Sequence, residues 1–138
     1  MVHYTIGTAQ RRAFSIGIVL FIAALHVFSI ESYLQGEWLI LYYSYFSDVM
    51  IPIAFYFLLY ASEERLPLVK RWEVKVAITF LLPAFAETCQ WVGIPLLGST
   101  FDPLDYLMYA LGAGAAGILD RQLFSRLLTF WTVKPAQP

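Results

Sequence analysis

The sequence predicts an all-α membrane protein. It reads as a single integral domain over residues 1–138, a four-transmembrane-helix bundle with both termini cytoplasmic. Three observations carry this. The composition is 59% hydrophobic with mean hydropathy +0.64, whereas ordinary soluble domains are ~45–50% apolar. Four apolar segments each have about the ~20 residues that cross a ~30 Å hydrocarbon core. The 9 Lys and Arg residues cluster at alternate ends of those segments, the asymmetry that sets orientation in a membrane.

The first segment, about 13–30, reads "AFSIGIVLFIAALHVFSI" behind Arg11 and Arg12. It exceeds the ~7–15 residues of a signal-peptide core and ends without a small-x-small cleavage pattern, so it is read as a retained helix. The second, about 43–61, carries Pro52, and the third, about 74–92, carries Pro83. Both prolines are expected to kink their helices. The fourth, about 104–123, opens on "DPLD": Asp102 is a good N-cap, Pro103 suits the first helical position, and Asp105 falls in the first turn, near the positive dipole end. Ala110–Gly114 and Ala113–Gly117 give this helix small-residue spacing for close packing. No strand-like alternation recurs, which argues against a barrel. The tail "TVKPAQP" is expected to be mobile.

Arg11 and Arg12 precede helix 1; Arg65, Lys70, Arg71 and Lys75 lie between helices 2 and 3; Arg121, Arg126 and Lys134 follow helix 4. Glu63, Glu64, Glu73 and Asp120 fall among these bases and read as solvated ion pairs. Glu31, Glu37, Asp48, Glu87, Asp102 and Asp105 fall on the opposite, outer side, where no Lys or Arg balances them. Trp38, Trp72, Trp91 and several tyrosines suit interface belts. The lone Cys89 excludes an internal disulfide and reads as a packing residue.

The candidate site lies on that outer side. Glu87 comes roughly 18 Å along helix 3 from Lys75 at 1.5 Å per residue. An ionised carboxylate at depth costs about 2.5–3.5 kcal/mol or more, so it must face protein or a wet cavity. Gln90 follows at i+3 on the same face. Glu87 is then either part of a functional patch or a hydrogen-bonded tie between helices. Asp102 and Asp105 have capping as their structural explanation, which also directs them at the outer mouth. Asp48 is placed near the outer start of helix 2, and His26 in the outer half of helix 1, as a ligand or as a helix–helix hydrogen-bonder. No metal motif such as HExxH occurs, nor a Ser-His-Asp order, a Gly-rich phosphate loop or a basic nucleic-acid patch. No cofactor is implied.

"ETCQWVGIPLLGSTFDPLDYLMYALGAGAAG" resembles the signature half of VanZ-like membrane proteins, a family named for a teicoplanin-resistance protein. The resemblance covers about 30 residues by motif comparison with the whole-chain helix count in agreement. Glu87 and Gln90 match its Glu-x-x-Gln, Asp105 its helix-opening acid, Gly112 its glycine pattern, and Asp48 an acid at the start of helix 2. The chain departs from the family in lacking an outer-loop Arg. It also has Tyr109 roughly where members carry Asn, and "DVMIP" where many have Lys and His after the helix 2 acid. The resemblance implies a small envelope protein, tied in one member to glycopeptide resistance. The expected function is binding or handling an envelope lipid or cell-wall ligand at an outward-facing polar site. The expected partners are membrane lipids, such a ligand, and a second membrane protein, with no nucleic acid. A membrane-embedded enzyme using carboxylates, with or without a metal, and a structural subunit of a larger membrane complex are the alternatives.

Overall fold

The computed structural model describes residues 2–28, 30–94, 96 and 101–132. Residues 95 and 97–100 of the expected outer connection lie outside the described residues, as do Lys134 and all but the first residue of the tail; the side chain of Glu31 is likewise not described. Among the described residues the chain is all-helical, without a strand. Four long helices dominate: α1, Val2–Val27; α2, Glu37–Leu58; α3, Trp72–Trp91; and α4, Pro103–Ile118. Single 3₁₀ turns occur at Ile30–Tyr33, Leu59–Ser62 and Pro67–Lys70. After α4 the chain widens into a π-helical turn, Leu119–Phe124, and closes with a short α5, Ser125–Leu127. The segments Gly7–Val27 and Glu37–Ser62 are long and apolar enough to cross a membrane.

Helices α3 and α4 lie close to where the hydropathy places them, whereas α1 and α2 begin earlier. The polar start of α1 stays helical because Arg11 and Arg12 are anchored on Glu63 and Glu64, at 2.5 and 2.8 Å. Helix α2 starts after Gly36, whose positive φ of 61° reverses the chain at little steric cost. Glu37 then sits in the first turn, where the helix dipole favours an acid. Asp48 is therefore not at the start of α2. It stands roughly 16 Å along the helix at 1.5 Å per residue. Both helices continue through their prolines, Pro52 and Pro83.

The α3 end is closed by local chemistry. Gly93, at φ 85°, follows the C-cap Val92. Its N–H bonds Gln90 O at 2.9 Å, and the Ile94 N–H bonds Cys89 O at 2.8 Å. This is the paired pattern by which a left-handed glycine satisfies the last helical carbonyls. Helix α4 opens as "DPLD" predicts, with Asp102 accepting from the Leu104 N–H at 2.9 Å.

Contacts fix the directions. Arg11 near the start of α1 and Lys75 near the start of α3 both meet Glu63, just past α2. Asp120, just past α4, meets Tyr56 and Tyr60 of α2. Helices α1 and α3 thus run one way, α2 and α4 the other. The parallel pair α2 and α4 is packed through Gly112: a Cβ there would collide with the Val49 carbonyl oxygen and lie 3.2 Å from Pro52 Cβ. Gly117 serves α3 in the same way, with Val76 Cγ2 3.0 Å from the Cβ position. The buried small strip is therefore Gly112, Ala113, Ala116 and Gly117. The expected Ala110–Gly114 spacing faces outward, because those positions lie on the other side of the helix.

The core combines Ile22, Ile53, Tyr56, Phe57, Tyr60, Ala116 and Trp131. Large apolar side chains also point outward on every helix, including Leu20 and Phe21 of α1, Leu81 and Phe85 of α3, and Leu107 and Leu111 of α4.

Candidate functional site

Polar side chains gather at both ends of the bundle. At one end α3 finishes and α4 begins. Glu87 is 2% exposed, and its Oε1 accepts the Asp102 backbone N–H at 2.8 Å. That bond satisfies a donor at the N-terminus of α4, which the helix itself leaves open. Asp102 in turn caps Leu104. Glu87 and Asp102 therefore hold α3 against α4, and Thr88 adds a 2.8 Å hydroxyl contact to Tyr106.

Asp105 is free of the capping role and faces α2. The Asp48 side chain lies within hydrogen-bonding reach of both the Asp105 side chain and the Tyr109 hydroxyl. Tyr109 is one turn after Asp105 on the same helical face. Its position, where the VanZ-like pattern carries Asn, is filled by a longer donor that spans to Asp48. The four expected carboxylates thus come together from three helices: Asp48 from α2, Glu87 from α3, and Asp102 and Asp105 from the start of α4. Gln90 is half-buried beside them and makes no side-chain hydrogen bond to another described residue. His26 is engaged elsewhere. Its Nδ1 is 2.8 Å from Ile22 O and its Nε2 is 3.2 Å from Ser47 Oγ, with the ring against Phe46. Among the described residues, no three His, Cys, Asp or Glu side chains converge as metal ligands would.

The cap supplies a direct test. Asp102→Ala is expected to lower stability by about 1 kcal/mol, the usual worth of an N-cap, while Asp102→Asn retains most of it. Glu87 keeps its bond in both, since it binds the backbone. Unfolding midpoints of the two variants in detergent micelles check this; equal losses would show that the side chain does not cap.

The opposite end corrects the sequence reading. Glu63 and Asp120, expected to be solvated, are 6% and 4% exposed. Lys75 Nζ lies 2.6 Å from Glu63 Oε1 and 3.4 Å from the centroid of the Tyr60 ring. Arg11 takes the other Glu63 oxygen at 2.5 Å. Asp120 accepts from three neutral donors: Tyr56 OH, Tyr60 OH at 2.6 Å and Trp131 Nε1 at 2.6 Å. Glu64 and Glu73 do behave as expected, exposed beside Arg12 and Arg71.

Burial of these charges is tolerable because each is paired or hydrogen-bonded. The π-helical turn makes part of this possible. By widening the helix after Ile118 it brings Asp120 to the α2 tyrosines and Phe124 to Trp131, whose ring centroids are 5.1 Å apart. A sequence signal exists for the α2 part: Tyr56, Tyr60 and Glu63 recur at helical spacing on one face. The partners on α1, α3 and the Trp131 segment carry no such mark. Arg11, Tyr60, Glu63, Lys75, Asp120 and Trp131 line a cavity of about 600 Å³ with Lys70, Arg71 and Arg121 at its walls.

Comparison of the chain with known protein families, with characterised proteins and with solved structures finds no match.

Proposed function

We propose that the chain is a VanZ-like integral protein of the cell membrane, crossing it four times with both termini cytoplasmic. In this reading its Glu87 end opens to the extracytoplasmic side and holds an envelope ligand, lipid-linked or derived from the cell wall. The observation that carries the site is the meeting of Asp48, Asp105 and Tyr109 across α2 and α4, beside Glu87 of α3. Capping does not account for Asp48 or Tyr109. Two carboxylates and a phenol accept from and donate to hydroxyls, so a sugar-like polyol or a cationic group is the chemistry they suit. No Lys or Arg stands among these residues to attract an anion.

Support for four crossings comes from the surface. Exposed Leu81, Leu82 and Phe85 on α3 and Leu104, Leu107 and Leu111 on α4 continue the apolar exterior of α1 and α2. Of the charges that lower the hydropathy of α3, Lys75 and Glu87 are turned inward, while Glu73 lies exposed in the first turn. Trp38 and Trp91 stand exposed toward the Glu87 end and Trp72 at the other, as interface belts require.

The test compares Glu87→Gln, Gln90→Ala and Asp105→Asn by membrane abundance and by glycopeptide sensitivity of the host cell. Asp105→Asn is expected to keep abundance and lose the phenotype. Glu87→Gln is expected to lose part of both, because Glu87 also ties α4. Loss of abundance in all three, in step with the phenotype, would reduce the cluster to a helix fastener.

A further inference from the structure

The cavity at the Lys75 end, about 600 Å³, falls within the ~300–1,000 Å³ of small-molecule sites. It lies at the other end of the bundle from the Glu87 cluster and owes nothing to that cluster's role. Five cations line it, Arg11, Lys70, Arg71, Lys75 and Arg121, against the carboxylates Glu63, Glu73 and Asp120. The wall therefore carries a surplus of two positive charges.

That surplus is not consumed in ion pairs. Glu63 is shared by Arg11 and Lys75, and Glu73 lies 3.9 Å from Arg71. Lys70 and Arg121 have no carboxylate partner among the described residues. Asp120 is screened by the three donors around it.

A second feature points the same way. The 20-residue helix α3 begins in the cavity wall, and its N-cap Arg71 makes no side-chain cap bond. Its first N–H groups are thus left for another acceptor at the positive end of the helix dipole. Tyr60, Trp72 and Trp131 add aromatic surface beside them.

We infer that this cavity binds a phosphate-bearing anion, with Lys70, Arg121 and the first turn of α3 as its donors. A phosphate monoester carries about −1.5 to −2 charge at pH 7, which matches the surplus. A lipid headgroup and a soluble phosphate share this chemistry.

Thermal unfolding of the purified full chain in neutral detergent separates the two sources. One arm titrates inorganic phosphate against chloride at matched ionic strength. The other compares micelles containing phosphatidic acid with micelles containing phosphatidylcholine. A saturable rise in Tm is expected in one arm. Response to inorganic phosphate assigns a soluble ligand, and response to phosphatidic acid alone assigns a headgroup. In Lys70→Gln/Arg121→Gln the apparent Kd is expected to rise at least tenfold with Tm of the unliganded protein unchanged, since both side chains are exposed. Arg121→Gln alone should shift Kd in the same direction by a smaller factor. Arg65→Gln, exposed and outside the cavity, should bind as the parent does. No saturable response in either arm, or unchanged binding in both the double and single variants, overturns the inference.

Discussion

Glu63→Leu is expected to destabilise the protein by about 3–5 kcal/mol, the cost of stripping a buried charge of its partner. The carboxylate serves two cations at once, Arg11 at 2.5 Å and Lys75 at 2.6 Å, and Lys75 is 1% exposed. Removing it leaves two like charges facing each other with no counterion between them. Lys75→Met should cost less, because Glu63 then keeps Arg11 and the methionine stem still covers the Tyr60 ring. The double variant Glu63→Leu/Lys75→Met should recover part of the loss, since one of the stranded cations is gone. Equilibrium unfolding in mixed micelles, followed by tryptophan fluorescence, measures all three. The order of the losses is the critical result: Glu63→Leu no worse than Lys75→Met would contradict the shared-carboxylate geometry.

Gly112→Ala is expected to cost at least about 1–3 kcal/mol, the usual range for overpacking. The obstruction is backbone: the added methyl meets the Val49 carbonyl, with the carbonyl carbon at 3.1 Å. A flexible side chain could move aside, whereas a carbonyl inside α2 moves only with its helix. The two helices must separate, and the gap between Asp48 and Asp105 opens with them. Gly114→Ala is the matched control. Nothing lies within 4 Å of its Cβ position, so the better helix propensity of alanine should leave stability unchanged or raise it by up to about 1 kcal/mol. Comparable effects from the two substitutions would show that the α2–α4 contact does not govern the response.

The parts of the molecule legible in the sequence are those set by local rules. Apolar length announced four helices, and "DPLD" announced the start of α4 through capping chemistry. The neighbourhood of Glu87, Asp102 and Asp105 followed, because one short connection joins their helices. Helix starts before apolar runs were harder. Arg11 and Arg12 looked like a boundary, although their salt bridges to α2-side glutamates keep α1 helical through them.

The Lys75 end was illegible for a different reason. Arg11 and Glu63 are 52 residues apart, and Tyr56 and Asp120 are 64 apart. No periodicity encodes which distant acid meets which distant base. Charged residues near a helix end look alike whether they face water or one another, so Asp120 and Glu63 read as solvated. Tyr109 lay between these cases. Its spacing from Asp105 was visible, but its reach to Asp48 depends on how closely Gly112 lets α2 approach.

The wide turn at Leu119–Phe124 makes chain length in this segment a variable in its own right. A π turn holds one residue more than an α-helix needs for the same rotation, so the same residues wound at ordinary α pitch would turn everything downstream by about 100°. Trp131 would swing away from Asp120, and Phe124 away from Phe57, whose ring centroid is 5.6 Å from its own, although the same side chains remained in the same order. A one-residue deletion here, taken up by a return to α pitch, would thus keep the downstream orientation, whereas an insertion would lose it.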